Sequence, residues 1–120
     1  MKGILVTSDC EIKEVDLPAP LYESAGDLLG GSMEHVTARR LERPYCLLIN
    51  GEGGILGLPE NKVGCYLFET EEHGYPLFGD ILIMKERWTS EGVDFTGLAE
   101  EDIASVTEML EDVLMEVDEY

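Results

Sequence analysis

Apolar residues run along the chain in short bursts, each bounded by glycine, proline or acidic residues. Two bursts have no polar interruption, Tyr45-Cys46-Leu47-Leu48-Ile49 and Ile81-Leu82-Ile83-Met84. Runs of that length and composition predict strands buried on both faces. Residues 3–7 form a β-rich stretch, and Ile12, Val15 and Leu17 follow the break at Asp9-Cys10-Glu11. These predict two opening strands, or a strand and an extended arm, stopped by Pro18 and Pro20. Leu21, Ala25, Leu28 and Leu29 recur at helical spacing, and Gly30-Gly31 offers a left-handed cap, so a short helix is predicted over residues 21–29. Met33, His35 and Thr37 alternate with Glu34 and Val36 as a strand does.

The middle of the chain is rich in turn formers. Asn50-Gly51-Glu52-Gly53-Gly54 followed by Ile55-Leu56 predicts a hairpin with a glycine turn. Residues 57–64 read as an ordered loop with Asn61 exposed, leading into Cys65-Tyr66-Leu67-Phe68, and residues 69–74 read as a second polar loop. Trp88 and Gly92 fall in a connecting loop, with Phe95 in a further short strand. The last segment has the clearest period. On a helical wheel centred on Leu110, the residues Ile103, Val106, Val113, Leu114 and Val117 lie within about 60°, while Glu101, Glu108, Asp112 and Glu119 lie opposite. The expectation is an α+β fold in one domain, residues 1–120. It has a small, mostly antiparallel sheet, one short helix at about 21–29 and one C-terminal amphipathic helix at about 100–116. No internal repeat or linker interrupts it.

Charge narrows the partners. Of 120 residues, 26 are Asp or Glu and 8 are Lys or Arg, a formal charge of −18, yet 44% are hydrophobic, which argues against a disordered chain. So negative a protein repels phosphate and anionic lipid, so neither direct nucleic-acid binding nor a membrane surface is expected, and basic proteins are the favoured partners. Cys10, Cys46 and Cys65 are odd in number and lack CxxC spacing, which reads as free thiols in a reducing compartment. The opening apolar run is too short for a signal peptide and no run approaches a membrane span, so a cytoplasmic location is expected. Nothing in the pattern sets an oligomeric state.

Enzyme chemistry finds little footing. There is no GxSxG, HExxH or phosphate-loop motif, and only His35 and His73 offer imidazoles. His35 reads as a surface or partly buried strand histidine. The Glu71-Glu72-His73 cluster reads as a solvated loop rather than a metal site, because adjacent residues rarely converge on one ion. Asp80 is the best single catalytic carboxylate, with a strand-end turn as its structural alternative. Neither metal nor cofactor is expected. The acids are distributed unevenly: residues 100–120 hold nine of them and no Lys or Arg, half the net charge. From Glu101 to Glu119 the helix would run about 27 Å and carry one charge per roughly 3.4 Å, close to the charge spacing along one DNA strand. Such a face can enter a groove built for nucleic acid, or serve only to keep the protein in solution.

The segment Leu28-Leu29-Gly30-Gly31-Ser32-Met33-Glu34-His35-Val36 resembles the GG-x-[IM]-E-x-V element of the domain-of-unknown-function family 3846, small proteins of phages, plasmids and gut bacteria. Leu48-Ile49-Asn50-Gly51-Glu52-Gly53 is similar to its N-E-E-G hairpin, Gly57-Leu58-Pro59-Glu60-Asn61 to its GLP-x-N loop, and Gly79-Asp80-Ile81-Leu82-Ile83 to its G-x-x-[IL]-[IV] strand. The matches cover about residues 28–98. Gly51 departs from the usual acid, and the acidic C-terminal helix lies outside the shared motifs. The resemblance implies an accessory protein of a mobile element; one branch resembles a type II anti-CRISPR, an inhibitor of a Cas9-type nuclease. Two expectations follow. The first is a non-enzymatic protein that binds and inhibits a basic nucleic-acid-handling host protein through Glu101, Glu108, Asp112 and Glu119. The second is a nucleotide-like ligand site lined by Arg39, Arg40, Arg43, Asn50 and Asn61.

Overall fold

Period-two alternation along the strands and a 3.6-residue period along the helices decide which side chains meet. The structure, a computed structural model, describes residues 1–41 and 44–117, with the backbone only for His73. In chain order the elements are β1 (Lys2–Val6), β2 (Ile12–Asp16), α1 (Leu21–Leu29), β3 (Met33–Val36), β4 (Tyr45–Asn50), α2 (Lys62–Phe68), α3 (Thr70–His73), β5 (Ile81–Thr89), β6 (Gly92–Thr96) and α4 (Glu100–Val117). All the strand pairings are antiparallel, in the order β2-β1-β5-β4-β3. β6 pairs with the second half of β5, beyond the residues that β1 uses. The two uninterrupted apolar runs are the neighbouring central strands, in the register Cys46–Met84 and Leu48–Leu82.

Helices cover both sides of this sheet. On one face Ile4, Val6, Leu47, Ile49, Ile81 and Ile83 share a core with Val63 and Leu67 of α2 and with Val106, Leu110, Val113 and Val117 of α4. On the other, Leu5, Cys46, Leu48, Leu82 and Met84 share a core with Ala25 and Leu29 of α1. A fully buried Leu or Ile stabilises such a core by about 1.5–3 kcal/mol. Trp88 lies on the α1 face by alternation from Met84, yet remains 68% exposed. The predicted helix over residues 21–29 is α1, and Gly30 closes it at φ 84 with its N–H on the Gly26 carbonyl.

The structure corrects four expectations. Residues 51–57 are successive turns rather than a hairpin, and Ile55 is 88% exposed instead of resuming a strand. β4 is already paired on both edges, by β3 and β5, so no returning strand can join it. The chain closes on itself instead, Leu58 N–H on the Gly53 carbonyl and Leu56 N–H on that of Glu52. Residues 62–64 and 70–73, expected in loops, are helical, the first as the start of α2 and the second as α3, with Glu69 between the two helices in the left-handed region at φ 61. Asn61, expected at the surface, is 0% exposed. Trp88 and Gly92 lie in strands, because the β5–β6 connection is only Ser90-Glu91.

Candidate functional site

Ala99 immediately precedes α4, and its carbonyl accepts from Ile103 N–H at 3.0 Å. Three residues on, Asp102 reaches back and accepts from Ala99 N–H at 2.8 Å, the reciprocal half of a capping box. The same carboxylate accepts from Lys85 Nζ at 2.9 Å and from Tyr45 Oη at 2.9 Å, which pins the helix start to β4 and β5. The Lys85 bond, the Ala99 N–H and the Tyr45 hydroxyl hold Asp102 below the usual carboxylate range against the opposing effect of burial.

Past this anchor the helix divides by face. Val106, Leu110, Val113 and Val117 are buried, and Glu100, Glu101, Glu108, Glu111, Asp112 and Glu116 are exposed. Among the described residues none of these six carboxylates has a cationic partner. Elsewhere four of the lysines and arginines pair with acids, Lys2 with Glu14, Lys13 with Glu11, Arg40 with Glu71 and Arg87 with Asp94. Glu101 to Glu116 spans about 22 Å along the helix. Glu101, Glu108 and Asp112 are thus brought onto one outward surface, while Glu119 lies outside the described residues.

The residues expected to line a nucleotide-like site are dispersed. Asn61 caps the N-terminus of α2 and Arg40 meets its other end, donating its N–H to the Leu67 carbonyl at 3.1 Å and stacking 4.1 Å over the Tyr66 ring. Asn50 is buried against the end of α1, where its amide donates to the Leu29 carbonyl at 3.2 Å and accepts from Glu52 N–H at 2.9 Å. Arg39 is exposed and lines a cavity of about 530 Å³ with Glu69, Glu72 and Glu86, three carboxylates that oppose a phosphate. Arg43 lies outside the described residues. Asp80 takes its turn role, accepting from Ser8 N–H at 3.1 Å. Glu71, Glu72 and His73 are consecutive residues of α3.

One constellation escapes any sequence spacing. His35 on β3 and Glu86 on β5 meet across β4, Nε2 to Oε2 at 3.1 Å, and Cys46 of β4 completes a group whose donor atoms all lie within 4.8 Å of one another. Burial, together with the nearby Glu86 charge, pushes the Cys46 thiol up to about 12. The three residues are 11 and 40 positions apart, so only the strand register, Val36 on Leu47 and Cys46 on Met84, brings them together.

The architecture defines a small three-layer α+β protein, an antiparallel sheet between one short helix and an outer acidic one. The chain belongs to the family described as Domain of unknown function (DUF3846), whose profile matches residues 1–111. Neither curated proteins nor solved structures match it. No helix of the described residues is long and apolar enough to cross a membrane.

Proposed function

We propose that this protein is a non-enzymatic accessory protein of phage or plasmid type that binds and inhibits a basic nucleic-acid-handling host protein through the outer face of α4. The observation that carries the reading is the row of unpaired carboxylates on that helix, Glu101, Glu108 and Asp112 among them, in a molecule whose other acids are partly neutralised by neighbours. A row of carboxylates on a rigid rod presents the sign and density of charge that a phosphate-binding groove is built to accept. Electrostatic complementarity then raises the association rate and makes the complex sensitive to salt. The family's resemblance to a type II anti-CRISPR branch favours an anti-defence setting, with a Cas9-type nuclease as one partner of this chemistry.

The test is capture of basic proteins from a bacterial lysate at low and high salt, followed by the affinity of the identified partner for the native chain and for a Glu108→Lys, Asp112→Lys variant. Both positions are exposed, so the variant keeps its circular dichroism. The expected result is a nucleic-acid-binding partner retained at low salt, with affinity lowered at least about tenfold by the variant, and loss of the partner's nucleic-acid binding in the complex. Equal retention of the same proteins by both chains would remove α4 from the reading.

A further inference from the structure

The geometry points to a transition-metal site at His35, Cys46 and Glu86, three donors of different chemistry gathered across β3, β4 and β5 toward the β3 edge of the sheet, suited to Zn²⁺ with one coordination position left for water or a fourth donor. Imidazole nitrogen, thiolate sulfur and carboxylate oxygen are the ligand types that Zn²⁺ takes, and three protein ligands with an open position is its usual incomplete shell. Mg²⁺ and Ca²⁺ prefer all-oxygen shells and fit poorly.

The distances agree with this assignment. With ordinary zinc–ligand lengths and tetrahedral angles, N and O donors lie about 3.3 Å apart, and S and N donors about 3.6 Å apart. His35 Nε2 and Glu86 Oε2 are already 3.1 Å apart, and no pair of the three donor atoms exceeds 4.8 Å, so closing on an ion takes a shift of about 1 Å in side-chain torsions. The donors sit on three adjacent strands, β3, β4 and β5, which is a rigid platform. The depth is graded: Cys46 is 1% exposed, while the side chains of Glu86 and His35 are 12% and 32% exposed. Solvent therefore reaches the site from the histidine side. The Phe95 ring, 5.1 Å from the imidazole between centroids, is an apolar neighbour that limits its swing.

Binding balances simply. The Cys46 thiol, which now donates to the Met84 carbonyl at 3.6 Å, gives its proton to solvent as the sulfur–metal bond forms. His35 Nε2, which faces Glu86 Oε2 at 3.1 Å through its N–H, must also shed that proton, to Nδ1 or to solvent, and the His35–Glu86 contact is then replaced by two metal bonds. A dication at the site offsets the negative charges of the thiolate and of Glu86 directly. The site lies on the α1 face of the sheet, opposite α4, so its fate and that of the acidic-helix reading are separately measurable.

The experiment uses the full chain, reduced and freed of metal by a chelator, titrated with Co²⁺ and then with Zn²⁺ against a chromophoric competitor. The expected result is one cobalt per chain with a thiolate-to-cobalt charge-transfer band, displaced by zinc. The band is absent in Cys46→Ser and retained in Cys10→Ser and Cys65→Ser. His35→Ala and Glu86→Gln, at side chains that are not fully buried, weaken zinc at least about 100-fold, beyond the 10–100-fold typical of an outer-shell change. Circular dichroism checks that each variant is folded. If Cys46→Ser fails to fold, the band in His35→Ala decides the matter. A missing band, a band that survives His35→Ala, or weak multivalent uptake unaffected by these variants would overturn the site.

Discussion

Asn61 ties three parts of the molecule together through one amide group. Its oxygen caps α2 by accepting from Gly64 N–H at 2.8 Å, and its nitrogen donates to the carbonyls of Val6 at 3.0 Å and Gly79 at 2.9 Å. Removing the side chain costs about 1 kcal/mol for the cap and about 1–3 kcal/mol for each buried acceptor left unpaired. Asn61→Ala is therefore expected to destabilise by roughly 3–7 kcal/mol in urea unfolding. Asn61→Asp separates cap from tether. The carboxylate still accepts from Gly64 but cannot donate, and it faces two carbonyl oxygens, so it should be no more stable than the alanine variant. An aspartate variant as stable as the native chain would show that the cap alone matters. The position was visible in the sequence as a turn residue. Its burial was not, because the partners Val6 and Gly79 are distant in sequence and only the fold brings their carbonyls to it.

At the scale of elements, legibility follows the length of the repeating pattern. Over α4 the wheel centred on Leu110 separates Val106, Val113 and Val117 from Glu101, Glu108 and Asp112 as the structure does, and Gly30 marks the end of α1. α2 is only seven residues and contains a glycine, so propensity argues against a helix there. Packing overrides it. A Cβ on Gly64 would lie 3.2 Å from Ile81 Cγ2 and 3.4 Å from Leu77 Cδ1, so glycine is what allows this helix to lie close on the sheet. The start of α4 gives a test with a definite sign. Because Asp102 titrates below its ordinary value of about 3.9 when folded, its contribution is present above that pH and is lost as pH falls through the folded value. Asp102→Ala removes three hydrogen bonds and is expected to cost about 1–3 kcal/mol at pH 7. The gap between native and variant should close below about pH 4. A gap that persists unchanged at pH 3 would mean that packing, not the charged network with Lys85, anchors the helix.

For the whole molecule the dominant quantity is the charge of −18, concentrated on one side by α4. Self-repulsion at this density destabilises the compact state, and the effect acts over the Debye length, about 30 Å in 0.01 M salt and less than about 10 Å above 0.1 M. Salt should therefore stabilise the protein at neutral pH. Between about 0.01 and 0.5 M sodium chloride the melting midpoint is expected to rise by roughly 5 °C, equivalent to about 1 kcal/mol for a domain of this size. Near the sequence isoelectric point of about 4.1 the repulsion has vanished, so the same salt series should be almost flat there. Calorimetry at both pH values checks this, with Glu108→Lys, Asp112→Lys measured alongside. The double reversal makes the net charge less negative by four and should raise the midpoint at low salt while weakening capture of a basic partner. Opposite movement of stability and binding means that the carboxylates of α4 are held against repulsion, as a surface reserved for a cationic partner requires. If the variant is no more stable and the native chain shows no salt dependence at pH 7, the acids are too dispersed to repel one another. The acidic face would then carry no energetic signature of a binding role.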